Sequence, residues 1–287
     1  MHCSDRAAHH AAQGMGVLGV LFVQDQEVLR AQKLRQNSRR AGVEARLAPV
    51  IHRLDRGAIV VQQGVRIGKG AQHTLRRFAG ALRLFAAQVA ALEGQADIVV
   101  PDWRKAPLSI WESWESAARW VVDQMPAGRF AMAGLSLGGM VGQELALRHP
   151  QRLRALVLAN TTSGYGEAGR ALWAQRIAAV EAGGVEAVAD GAVQRWFSPA
   201  FHAERPAVVA RWRRRVATTP RAGYLGACHA VMHMDTAARL ERIALPTLVI
   251  AGALDEGTPV AMAQTLAQGI PGARLERIEA AAHLSVL

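Results

Sequence analysis

Sulfur chemistry is nearly absent: the chain has two cysteines, Cys3 and Cys228, far apart in sequence and without metal-ligand spacing. Such a pair builds neither a disulfide framework nor a metal site, and the expectation is a reduced, cytoplasmic protein. Long apolar runs are missing as well. The longest near the start, Met15 to Val23, is about half of the roughly 18–20 residues needed to span a bilayer, so no membrane association is expected. That run follows His9 and His10 rather than a basic segment and precedes no clear small-residue cleavage site, which argues against a secretory leader. Aromatic residues are scarce early, with Phe22, Phe78 and Phe85 alone in the first 90 residues. Acidic residues are scarce there too: residues 1–90 hold 14 Lys/Arg against 5 Asp/Glu, whereas the remainder of the 287-residue chain holds 20 against 18. A basic excess confined to one third, without stacking aromatics or a recognition motif, predicts no nucleic-acid partner.

What the chain does have is enough apolar residues, 51% of the total, to bury one large core. From about Leu82 onward, strand-like and helix-like segments alternate. Strands are expected at Ile98-Val99-Val100, Phe130 to Ala133, Leu156-Val157-Leu158, Thr247 to Ala251 and Arg274 to Ile278. Helices are expected at Trp111 to Gln124, Gly138 to His149 and Met262 to Gln268. That alternation implies an α/β fold whose mostly parallel sheet carries helices on both faces. Between Asn160 and Leu245 only helical patterns remain: Trp173 to Glu181, Val185 to Trp196, Pro206 to Thr218 and Gly223 to Met232. An insertion of that kind reads as a helical cap over the strand ends, walling a pocket where open α/β sheets bind ligands. The expected layout is an atypical N-terminal segment over residues 1–81, an α/β core from residues 82–160 and 246–287, and a cap over residues 161–245. In the N-terminal segment, Met15 to Val23 could be a buried strand and Ile59 to Ile67 a hairpin around Gln63-Gly64.

Gly134-Leu135-Ser136-Leu137-Gly138 matches G-x-S-x-G between an expected strand and an expected helix. A serine on such a sharp turn has its hydroxyl thrust toward the pocket, and small residues on either side let strand and helix pass close together. Ser136 is the candidate nucleophile, and the N–H of Leu137, at the helix start, is a candidate oxyanion donor. The bland alternative is an ordinary glycine-rich strand-to-helix turn. A nucleophilic serine needs a histidine to take its proton and an acid to orient that histidine, in the chain order Ser, Asp, His on this kind of sheet. The next strand ending in an acid is Thr247 to Gly252, followed by Asp255, with Glu256 adjacent as the other choice. Asp255 could equally be a loop aspartate capping the helix near Pro259. His283 stands just past the last expected strand, while His149, His202, His229 and His233 fall at helix ends or within the cap.

With these residues in hand, the chain from about Leu82 to Val286 resembles the α/β-hydrolases, and within them the 3-oxoadipate enol-lactonases. The resemblance is carried by Gly134 to Gly139 with Met140 to Gln143, by His149 to Leu153 and by Leu156 to Thr161. In the cap it rests on Trp173 with Arg176-Ile177, Arg195-Trp196-Phe197 and Gly223-Tyr224. Further on it rests on Pro246 to Ile250, Asp255 with Thr258-Pro259, Ile270 to Arg274 and Ala282 to Ser285. It implies Ser136, Asp255 and His283 as a triad, no metal and no organic cofactor. The implied activity is that of a carboxylic ester hydrolase opening an enol-lactone that bears a free carboxylate. Such an anionic small-molecule substrate wants a cation, for which Arg170, Arg176 and Arg195 in the cap are candidates beside Trp173 and Trp196; each could instead be solvated surface or cap core. A general carboxylesterase with the same cap is the alternative.

The match breaks off early. Where the family places a glycine-containing oxyanion loop, this chain has Leu75-Arg76-Arg77-Phe78-Ala79-Gly80, and only four residues follow His283 where relatives continue into a helix. A second oxyanion donor is therefore not assigned from sequence, which keeps open a protein of another kind, non-catalytic or impaired. The abrupt start of the match coincides with the charge excess and predicts that residues 1–81 replace the family's own N-terminal strands.

Overall fold

The computed structural model describes the backbone of residues 19–24, together with residues 84–92, 97–99, 101, 103, 106–125 and 127–287. The possible hairpin at Ile59 to Ile67 and the segment Leu75 to Gly80 lie outside the described residues. In chain order the main elements are β1 (Gly19–Gln24), α1 (Ala86–Leu92), β2 (Asp97–Val99), α2 (Trp114–Gln124), β3 (Phe130–Leu135), α3 (Leu137–Arg148) and β4 (Leu153–Ala159). Five helices follow: α4 (Glu167–Gly183), α5 (Ala189–Trp196), α6 (Pro199–Glu204), α7 (Pro206–Ala217) and α8 (Arg221–Met232). The chain then returns to the sheet as β5 (Thr247–Gly252), α9 (Val260–Gly269) and β6 (Arg274–Ile278).

The strands form one sheet in the order β2-β1-β3-β4-β5-β6. From β3 to β6 every pairing is parallel, and all residues of β3 and β5 are buried, as expected of central strands covered on both faces. β1 is the exception. It lies between β2 and β3 and runs antiparallel to both, with Gly19 opposite Leu135 and Val23 opposite Ala131. The apolar run read as a possible strand is thus a strand over part of its length, but its direction was not legible. An antiparallel strand brings its amino end to the edge where its neighbours present their carboxyl ends, so Gly19, beside Leu135, stands next to the turn that carries Ser136.

Local chemistry explains where the helices start and stop. The sequence reading began a helix at Trp111; instead a 3₁₀ turn covers Leu108–Trp111, and α2 starts after Ser113, whose side chain caps it by accepting the N–H of Ser116 at 3.0 Å. α3 ends before Pro150, which opens a short 3₁₀ turn. α4 begins six residues before the expected Trp173, a start hidden because Leu172 is exposed and breaks the apolar stripe. α6 was not foreseen; Ser198 caps it and Pro199 sits in its first turn. The cap has its own small core of Val180, Val185, Ala189, Ala192 and Val216. Two hydrogen bonds anchor its roots: Gln143, buried on α3, donates to the Thr162 carbonyl at 3.0 Å and accepts from Thr236 at 2.6 Å. Among the described residues no helix is long and apolar enough to cross a membrane, and no His/Cys/Asp/Glu cluster could hold a metal ion.

Candidate active site

The turn from β3 into α3 sets Ser136 at φ 54°, ψ −119°, in the region that side-chain-bearing residues rarely adopt. Close crossing makes it possible: a Cβ on Gly134 would stand 2.1 Å from the carbonyl oxygen of Gly138, so strand and helix could not meet with any larger residue there. As the first residue of α3, Leu137 has an N–H with no acceptor inside the helix, at the positive end of the helix dipole.

Beyond β5, the chain turns through Ala253 and Leu254 to Asp255, which is buried. Gly252 lets the loop bearing His283 approach, since a Cβ there would lie 2.3 Å from the Ala282 carbonyl oxygen. Three side chains meet at this edge. His283 Nδ1 is 2.8 Å from Asp255 Oδ2, and His283 Nε2 is 2.9 Å from Ser136 Oγ. A carboxylate can only accept, so Nδ1 carries the proton, Nε2 accepts, and the serine hydroxyl donates. Such a chain can pass the serine proton to the imidazole as the oxygen attacks an electrophile, while the carboxylate stabilises the imidazolium formed. Asp255, rather than the exposed Glu256, is the acid in contact.

Asp255 is also saturated with donors. Oδ1 accepts the N–H groups of Gly257 and Thr258 at 2.8 and 3.0 Å, while Oδ2 accepts Thr258 Oγ1 at 2.6 Å and Asn160 Nδ2 at 2.8 Å besides His283. Burial pushes this carboxyl up, but His283, Thr258 and Asn160 together outweigh it and hold it at about 2. A folded pKa below the ordinary 3.8 contributes stability that is complete above that value and is lost as pH falls toward 2. Unfolding free energies of wild type and Asp255→Asn, measured across this window, should therefore converge by about 2 kcal/mol. A difference that stays flat would mean that the carboxylate is not held ionised.

Above Ser136 and His283 lies a cavity of about 160 Å³ roofed by the cap. Trp173, Arg176, Arg195 and Trp196 line it, as do Leu137 and Tyr165. Arg170 does not: it is exposed and its guanidinium bonds the Tyr165 carbonyl at 2.9 Å. Arg176 lies over the Trp173 ring, 5.0 Å from its centroid. Among the described residues no carboxylate pairs with Arg176 or Arg195, whereas Arg213, outside the cavity, is neutralised by Glu186 and Asp190 at 2.7 and 2.6 Å. Cys228 also lines the cavity, but burial pushes its thiol up to about 12. It stays protonated at neutral pH and is a poor nucleophile beside a serine that has its base. Of the remaining histidines, His202 bonds the Val193 carbonyl and His233 that of His229.

Sequence reasoning gave no role to Asn160 or Thr258, the two side chains besides His283 that hold the Asp255 carboxylate. Asn160 stands immediately beyond a strand and Thr258 three residues beyond Asp255, where Asn and Thr read as ordinary turn residues. It also missed Tyr165 in the cavity wall, where burial pushes the phenol up to about 12.

Residues 78–287 match the family described by the alpha/beta hydrolase fold. The chain is 36% identical over 165 residues to 3-oxoadipate enol-lactonase 2 of Acinetobacter baylyi, a match spanning 58% of this chain and 61% of that relative. It is 30% identical over 205 residues to 3-oxoadipate enol-lactonase 1 of the same organism, covering 69% of this chain and 76% of the relative. The crystal structure of the enol-lactonase from Burkholderia xenovorans LB400 superposes with a TM-score of 0.64 at 30% identity, over 71% of this chain and 80% of that one.

Proposed function

Because this chain belongs to the α/β-hydrolase family, we propose that it is a serine hydrolase opening a carboxylate-bearing enol-lactone, 3-oxoadipate enol-lactone to 3-oxoadipate, through an acyl-enzyme. The observation that carries the reading is the hydrogen-bonded chain from Ser136 through His283 to Asp255 on the floor of a cavity lined by Arg176 and Arg195, which have no carboxylate partner among the described residues. In this mechanism Ser136 Oγ attacks the lactone carbonyl as its proton passes to His283 Nε2. The Leu137 N–H and the dipole of α3 stabilise the oxyanion. Collapse breaks the ring C–O bond, the departing enol oxygen takes the proton from His283, and the enol tautomerises to the ketone. Water, deprotonated by His283, then attacks the acyl-enzyme and releases the second carboxylate and the serine. Arg176, aligned by the face of Trp173, takes the substrate's free carboxylate, with Trp196 closing the wall.

The test is to give the purified protein the enol-lactone beside a short nitrophenyl ester. Preference for the lactone is the expected result. Ester turnover with no such preference would identify a general carboxylesterase, and no turnover of either would sink the hydrolase reading. Within the same assay, Arg176→Ala should cost the lactone roughly 10- to 100-fold in kcat/KM, the range for one hydrogen bond to a charged group, and leave the neutral ester nearly untouched. Equal losses on both substrates would remove Arg176 from carboxylate recognition.

A further inference from the structure

The turn that follows β4 bonds Ser136, Asp255 and the loop that bears His283, the three taken as a triad, an assignment on which this inference rests. The carbonyl of Ala159 accepts the N–H of Ser136 at 2.8 Å, and Thr161 Oγ1 donates to the Ser136 carbonyl at 2.7 Å. Between them stands Asn160, buried and at φ 45°, a left-handed conformation that asparagine tolerates better than most residues. Its Nδ2 donates to Asp255 Oδ2 at 2.8 Å and to the Ala282 carbonyl at 3.3 Å. Its Oδ1 accepts from the hydroxyl of Ser285. Ala282 and Ser285 flank His283 on its two sides, so one amide binds both the acid and the loop that bears the base.

The amide has a single workable orientation. Asp255 and the Ala282 carbonyl can only accept and must face the NH₂ group, which leaves Oδ1 in need of a donor, and the Ser285 hydroxyl is that donor. A flipped amide would set its oxygen against the carboxylate. We infer that Asn160 is the positioning residue of the triad and that Ser285 fixes its orientation, so that Asp255 and the His283 loop are held together at one spacing from the Ser136 turn.

Loss of this amide has a directional consequence. With one donor fewer on Oδ2, the Asp255 carboxylate attracts the imidazolium more strongly, and His283 keeps its proton to higher pH. Asp255 meets Nδ1 directly, and Glu256 lies exposed on the acid loop. From the cap, Tyr165, Arg176, Arg195, Tyr224 and Cys228 line the same cavity. A substitution at Asn160 or Ser285 removes none of these cap groups.

The test uses the full chain as wild type, Asn160→Ala, Ser285→Ala and the double variant. His283 is titrated by NMR without substrate, and kcat on a nitrophenyl ester is expressed per serine labelled by a fluorophosphonate. The His283 midpoint should move upward in each variant. Asn160→Ala should lose about tenfold or more in kcat, the size of one hydrogen bond to a charged group, with KM nearly constant. Ser285→Ala should lose less, and the double variant no more than Asn160→Ala alone. An unmoved midpoint with normal turnover per labelled serine overturns the inference, as it would leave Asn160 a merely structural residue. Losses that multiply in the double variant overturn the part given to Ser285. Should Asn160→Ala fail to fold, Ser285→Ala decides by the same two readouts. A shifted midpoint in a protein that hydrolyses no ester would uphold the positioning and sink the hydrolase reading, so the two failures are distinguishable.

Discussion

Replacing Ser136 by alanine is expected to reduce ester and lactone hydrolysis by about 10⁴-fold or more, the scale on which a triad enzyme loses turnover without its nucleophile. The fold should survive. Among the described residues the hydroxyl's one hydrogen-bond partner is His283 Nε2, and the turn is held by backbone groups that alanine keeps: the Ser136 N–H bonded to Ala159 and its carbonyl bonded to Thr161. Circular dichroism and thermal melting would check the fold, and initial rates the chemistry. Turnover within tenfold of wild type in a soluble variant would remove Ser136 from the mechanism.

The second large effect concerns the acid. Asp255→Asn should lower kcat by about 10⁴-fold, because an amide NH₂ facing Nδ1 leaves that nitrogen unprotonated and puts the imidazole proton on Nε2, where it cannot accept from serine. Glu256→Gln, on an exposed side chain in the same loop, should stay within a few-fold of wild type. The contrast separates two adjacent carboxyls that sequence left as alternatives. If the Glu256 variant were the inactive one, the bonds of Asp255 to Thr258 and Asn160 would have to be read as those of a structural aspartate.

Most of the fold from β2 onward was legible because its signals are local. A buried parallel strand reads as a short apolar run, and the Gly134–Gly138 turn between strand and helix follows from what a crossing 2.1 Å from a virtual Cβ permits. The direction of β1 was not legible, since an apolar hexapeptide has the same pattern whichever way it runs; only its place between β2 and β3 fixes it. Residues Ser136, Asp255 and His283 could be named from order and spacing along the chain, and the structure brings them together. Asn160 could not be named in this way. Its function depends on three partners, Asp255, Ala282 and Ser285, that lie 95 or more residues away, and nothing in a single asparagine after a strand announces them. For the cap arginines, sequence gave three equivalent candidates. Burial and pairing separate them: Arg170 lies on the surface, whereas Arg176 and Arg195 face the cavity without a carboxylate partner among the described residues.

The central claim is covalent chemistry at Ser136, and trapping the acyl-enzyme tests it most directly. A nitrophenyl ester is mixed with stoichiometric enzyme, quenched in acid within the first turnover and mapped by peptide mass spectrometry. One acyl group per chain is expected, on the peptide containing Ser136, absent from Ser136→Ala and formed with a matching burst of nitrophenol. An acyl group on another residue, or turnover by wild type with no dependence on Ser136, would contradict it.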